Sequence, residues 1–217
     1  MYSDQEFSGC PICDTDIWVD INIAKIETLL FEKYEKIVIA DVVYNEIMKW
    51  KDNLYFSFIA TNLEKYISEC RIAIINHDQI ETDDRRFLEK QLSETGFNFV
   101  NGLRDCPHEK NKGEIVSALY AEHFETAFLK SNDSTFKKGN AGRQAFPDLQ
   151  VKNRWDTLLD LLGDVALCRE KNQLINDDRA LMNEGKRIHI QELESKESKP
   201  ISINDVEILL KRMRGGR

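Results

Sequence analysis

Residues 111–133 read NKGEIVSALYAEHFETAFLKSND. Gly113 and Glu114 open a stretch whose apolar residues recur at helical spacing. A short apolar run, TAFLKS, follows before the chain reaches Asn132 and Asp133. Glu114 and Asp133 lie 19 positions apart. That is room for about three helical turns, a connection and a strand of about four residues. In such a unit the N-terminus of the helix and the C-terminus of the strand meet at one edge, so an acid at each end is presented to the same place.

The rest of the chain repeats the alternation. PICDTDIWVDI (11–21) reads as a short buried strand ending near Asp14, and INIAKIETLLFEKY (21–34) places apolar residues at helical spacing. KIVIADVV (36–43) is a second buried strand. It leads into YNEIMKWKDNLYFSFIATNLEKYISEC, read as two helices with Glu46 at the start of the first, and RIAIIN (71–76) is a third strand. After a charged region holding one amphipathic run, RRFLEKQLSETGF, come the unit quoted above, a short strand LQVK (149–152) and a helix WDTLLDLLGDVALCREK. Further helices are expected near 177–187 and 204–214. Strands alternating with helices predict an α/β domain with a mostly parallel central sheet. In such sheets the functional crevice lies beyond the carboxyl ends of the strands. Asp14, Glu46, Glu114 and Asp133 are all expected at that edge.

Composition limits the chemistry. With 217 residues, 41% of them hydrophobic, the chain suits one domain with extensions, or at most two small ones. No run approaches the ~20 apolar residues of a membrane span, so no membrane association is expected. The opening MYSDQEFSGC lacks the basic and apolar regions of a secretory signal. Five scattered cysteines (10, 13, 70, 106 and 168) do not make a disulfide framework, and a cytoplasmic location is the expectation. The net charge of −8 weighs against a protein that holds nucleic acid by overall attraction. It weighs less against a metal-dependent nuclease, whose acids are neutralised locally by the cation.

Converging carboxylates repel unless a cation lies between them, and hard oxygen donors favour Mg²⁺ or Mn²⁺. Such an ion activates water and stabilises charge on phosphate oxygens, which makes phosphodiester hydrolysis the natural reaction. The order ICDTDIW, VIADVVYNEI, KGEIVSALYAEHFETAFLKSND and LQVKNRWDTLLDL resembles the PIN domain, a metal-dependent ribonuclease fold related to flap nucleases. The resemblance covers residues 11–162. It implies a three-layer α/β fold in which Asp14, Glu46, Glu114 and Asp133 are catalytic metal ligands, with Asp16 a fifth candidate and Thr15 and Asn132 in supporting positions. It further implies an RNA substrate and a toxin–antitoxin setting with an antitoxin or other protein partner. A homodimer is compatible with it. The interval between Glu46 and Glu114 exceeds that of a compact member, implying an insertion at about 77–112, and residues 163–217 form a helical C-terminal extension. A DNA-directed nuclease of the same fold and a non-catalytic binding or scaffold protein are the alternatives.

Each feature also has a plainer interpretation. An acid at a helix start is usually a cap or a dipole partner, which applies to Glu46, Glu114 and Asp16. Thr15 can be strand filler and Asn132 a turn residue. A second register exists in GDVALCREKNQLINDDRAL (163–181), where Asp164 and Asp177 would replace Glu114 and Asp133. CPIC (10–13) with Cys106 and His108 raises a zinc site, although the paired spacing is wrong and Cys13 falls in a strand. His123 is expected on a helix surface.

Overall fold

The computed structural model describes residues 2, 6–53, 55–94, 112–132 and 134–197, the side chains of 135, 141 and 184–197 excepted. Five short parallel strands form one sheet in the order β3-β2-β1-β4-β5: β1 (Ile12–Cys13), β2 (Ile37–Ala40), β3 (Ile72–Ile75), β4 (Leu129–Lys130) and β5 (Val151–Lys152). Ile12 pairs with Val38 on one side and Leu129 on the other, placing β1 in the centre. Helices flank this sheet, giving the α/β class with a parallel sheet that the sequence predicts. They are α1 (Thr15–Ala24), α2 (Glu27–Lys33), α3 (Asp41–Met48), α4 (Ser57–Ser68), α5 (Thr82–Glu94), α6 (Lys112–His123), α7 (Ala141–Ala145), α8 (Arg154–Leu162) and α9 (Val165–Glu197).

The chain divides into two compact units, Met1–Ile175 and Asn176–Arg217, with the division inside α9. Within the first unit β1 and β2 are wholly buried, as continuous apolar strands covered on both faces must be. Among the described residues no helix is long and apolar enough to cross a membrane.

Several boundaries differ from the sequence expectation. β1 ends just before Asp14, as expected, but the helix begins earlier than residue 21: Asp14 caps α1, which starts at Thr15 and is buried from Ile17 to Ala24. A helix buried all round has no polar stripe, so its sequence mimics a buried strand. The helix expected over 21–34 is instead two, broken at Lys25, whose left-handed backbone (φ 55°) ends α1. β2 stops at Ala40, and Val42 and Val43 belong to α3. Residues 163–181 contain no strand, because α9 runs through them without interruption, and that removes the second register. Asp164 instead accepts a hydrogen bond from the Leu167 amide (2.8 Å) at the start of α9. Residues 95–111 of the expected insertion, Asp133 and the helix expected near 204–214 lie outside the described residues, as do Cys106 and His108.

Candidate functional site

The strand order reverses at β1, whose neighbours β2 and β4 carry the chain to opposite sides of the sheet. In parallel sheets a crevice opens at that point beyond the strand C-termini. Asp14 occupies it. The Asp14 amide donates to the Lys130 carbonyl (3.0 Å), continuing the β1–β4 ladder, while its side chain turns to cap α1. Oδ1 accepts from the Thr15 amide at 2.6 Å, and Oδ2 accepts from the Ser131 hydroxyl at 3.1 Å. The carboxyl is 1% exposed.

Two further elements bring acids to this place. The Thr15 hydroxyl donates to Glu46 Oε2 on α3 at 2.5 Å, so residues following β1 and β2 are linked directly. Glu46 also lies against Gly113 at the start of α6: a Cβ built there would stand 3.2 Å from Glu46 Oε2 and 3.3 Å from Oε1. Glu114 follows that glycine. The charge environment of Asp14 records the gathering. Burial, then the like charges of Glu114 and Asp16, raise its pKa well above the ordinary carboxylate value. The Thr15 amide opposes the rise and Glu46 adds to it. Asp14, Asp16, Glu46 and Glu114 thus share one neighbourhood. Half-buried Asn132 follows Ser131 in the chain, and Asp133 lies outside the described residues.

Among the described residues no three His, Cys, Asp or Glu side chains enclose a point tightly enough to hold an ion. The donor chemistry nevertheless suits a hard cation. The acids are oxygen donors with mutually unfavourable charge, and a divalent ion would relieve it. For Cys10 and Cys13 the structure gives a half-buried and a buried free thiol, and burial pushes both thiols up in pKa.

Gly113 can be tested directly. Alanine is the better helix former by about 1 kcal/mol, so Gly113→Ala should not weaken α6. Its methyl group instead displaces the Glu46 carboxylate from Thr15. The expected outcome is an unchanged or slightly raised melting temperature and a weaker response to Mn²⁺, read by titrating the ion during thermal melts.

Four features escaped the sequence interpretation. Ser131 reads as the last residue of the strand TAFLKS, with nothing to mark the hydrogen bond its hydroxyl donates to Asp14. Asp41 looked like part of a strand, but it is buried and accepts from the Val42 amide (2.8 Å) and the His77 amide (3.0 Å), tying the end of β2 to the end of β3. His77 itself is buried between the Tyr120 hydroxyl (Nδ1, 3.0 Å) and Glu89 (Nε2, 3.1 Å). His123, expected on a helix surface, is half-buried (18% exposed) at the end of α6, 3.7 Å from Asp84. The fourth feature is Lys130, fully buried against the rings of Tyr34 and Phe128, with Nζ 3.8 Å from Asp160 Oδ2 and no hydrogen-bond partner among the described residues. Nothing in TAFLKS marks this lysine as internal.

Burial lowers the Lys130 pKa from 10.5 to about 8, against the pull of Cys13 and Asp160. Below pH 8 the charged form is carried at a cost. Between about 8 and 10.5 the unfolded chain holds the proton that the native protein has released, so stability rises with pH. Lys130→Met keeps the length and drops the charge, while Lys33 and Lys152 still pair with Asp160 at 2.6 and 3.3 Å. Urea melts should show a gain of about 2 kcal/mol at pH 7 and loss of the alkaline rise.

No protein-family model matches the chain, and no curated protein matches it. Among solved structures, the crystal structure of VapBC2 from Rickettsia felis bound to a DNA fragment from their promoter is similar at 17% identity. Its TM-score is 0.42, covering 66% of this chain and 98% of that one.

Proposed function

We propose that this protein is a metal-dependent endoribonuclease. The observation that carries the proposal is Asp14: a buried carboxyl at the reversal point of a parallel sheet, pressed upon by the charges of Glu114, Asp16 and Glu46. Acids used only as caps do not need to be assembled from β1, α3 and α6 around one buried carboxyl. Asp14, Glu46, Glu114 and Asp133 would hold Mg²⁺ or Mn²⁺, with Asp16 as a further donor. The bound ion would supply Lewis acidity and a water of lowered pKa.

The chain's own groups prepare the site. Thr15 and Ser131 donate to Asp14 and Glu46, fixing the direction of each carboxylate. Hydrogen-bonded outer partners of this kind keep a ligand in one orientation and raise its affinity. Gly113 leaves the space that Glu46 fills. Single-stranded or looped RNA is the substrate this reading favours, because its backbone can approach an ion at a strand edge. A protein partner of antitoxin type belongs to the same reading.

The test is Mn²⁺-dependent cleavage of a mixed single-stranded RNA pool by the wild type, Asp14→Asn and Glu114→Gln. Cleavage by the wild type that both variants lose supports the proposal. Equal cleavage by all three removes these acids from the reaction. An absence of Mn²⁺ binding by the wild type would favour a non-catalytic binding module, and cleavage of single-stranded DNA alone would favour the DNA-directed alternative.

A further inference from the structure

Glu46 is followed one helical turn later by Trp50, and from there the sequence runs KWKDNLYFSF over 49–58. The chain continues beyond α3 as a tight turn, with the Trp50 amide donating to the Ile47 carbonyl (3.0 Å) and the Lys51 amide to that of Met48 (3.1 Å). Trp50 therefore lies about one turn beyond the candidate ligand. Its ring meets Phe56 edge-on, with centroids 6.2 Å apart, and Phe56 meets Phe58 at 6.3 Å. Tyr55, next to Phe56 in the chain, is 78% exposed, and Phe58 is 38% exposed.

The loop is not loosely held. Asn53 Oδ1 accepts from the amides of both Tyr55 and Phe56 at 3.0 Å, and the Ser57 amide donates to the Asn53 carbonyl (3.1 Å). Tyr55 is thus held outward by an ordered turn, at the cost of leaving a large ring in water. Burial of such a ring would stabilise the fold, so packing does not explain its position. Lys49, beside Trp50, is exposed, whereas Lys51 is held by Glu64 at 2.7 Å and Asp52 adds a negative charge.

From this arrangement we infer that Tyr55 and Phe58, backed by Trp50 and Phe56, form a base-stacking platform for single-stranded RNA. The inference rests on the proposed nuclease reading only for its placement one turn beyond Glu46. Aromatic faces bind unpaired bases of any sequence, and Lys49 supplies a cation for the adjoining phosphate. Because the neighbouring charges nearly cancel, the attraction comes from stacking, and affinity should depend only weakly on salt. Paired bases present no free faces, so a duplex should compete poorly.

The experiment is fluorescence anisotropy of a labelled single-stranded RNA of mixed sequence, titrated with the full chain in EDTA, so that no cleavage occurs. Tyr55→Ser should weaken binding about five- to a hundredfold, Phe58→Ser should do likewise, and Tyr55→Phe should retain the wild-type affinity. Rescue by phenylalanine separates stacking from hydrogen bonding by the hydroxyl. The Tyr55 variants should keep the wild-type melting temperature, Phe58→Ser should lower it slightly because its ring packs on Phe56, and every variant should keep the wild-type response to Mn²⁺. The inference is overturned if wild type does not bind the RNA, if Tyr55→Ser binds as wild type does, or if an RNA duplex competes equally. Failure of the nuclease reading appears separately, as a wild type that binds RNA in EDTA but neither responds to Mn²⁺ nor cleaves.

Discussion

Asp14→Asn should melt above the wild type in EDTA and lose both the Mn²⁺ response and RNA cleavage. The geometry permits the substitution. An amide oxygen can still accept from the Thr15 amide, and the amide nitrogen can donate to Ser131 Oγ, whose hydroxyl rotates to suit. What disappears is a buried negative charge beside those of Glu114, Asp16 and Glu46. The native pKa of Asp14 is raised, so its contribution to stability is fully present below the unfolded value of 3.8 and is lost as pH rises through the native value. At neutral pH the wild type carries that cost and the asparagine variant does not, a gain of about 1–2 kcal/mol, or roughly 2–8 °C. Mn²⁺ at a hundred times its dissociation constant should stabilise the wild type by about 2.7 kcal/mol. The measurement is a set of melts with and without the ion, over a range of pH. A lower melting temperature for the variant in EDTA would contradict the account.

Asp41→Ala should do the opposite. Asp41 also follows a buried strand and is 5% exposed, but its oxygens accept two backbone amides, Val42 at the first turn of α3 and His77 just past β3. Alanine would leave both donors without this partner inside the protein. Each unsatisfied group costs about 1–3 kcal/mol, so a loss of roughly 2–4 kcal/mol is expected. For a chain of this size that lowers the melting temperature by roughly 5–15 °C. The response to Mn²⁺ should survive at temperatures where the variant is folded. Loss of that response in a folded Asp41→Ala protein would place Asp41 among the ligands instead.

These two aspartates show how far the sequence could be followed. ICDT and IADV look alike: apolar strand, acid, then a β-branched residue. One acid lies among other acids and the other among backbone amides, and only the packing of distant segments distinguishes them. Ser131 was missed for a similar reason. A serine after a strand is common, and its meaning here comes from Asp14, 117 positions away. Lys130 sits in a two-residue strand, too short to show that its side chain points inward between Tyr34, Phe128 and Asp160. Trp50 and Tyr55 lie in a segment that reads as two helices, and exposure cannot be read from residue type.

By itself the sequence determined the class of the fold and the order of its parts, because apolar periodicity and acids at element boundaries are local properties. Five strand segments were located, and Asp14 and Glu114 fall where expected, just after β1 and in the first turn of α6; Glu46, expected to open its helix, lies instead in the second turn of α3, which already begins at Asp41. It placed the end of β1 near Asp14 but could not place the start of α1 at Thr15, since strand and helix are both buried there. The tertiary structure decided that boundary by capping α1 with Asp14. It also decided the site's neighbours: Thr15 with Glu46, Gly113 beneath Glu46, and Ser131 with Asp14. Those contacts join strands and helices far apart in the chain. They exist only because parallel strands send every C-terminus to the same edge, where charge and burial act on residues that no local pattern connects.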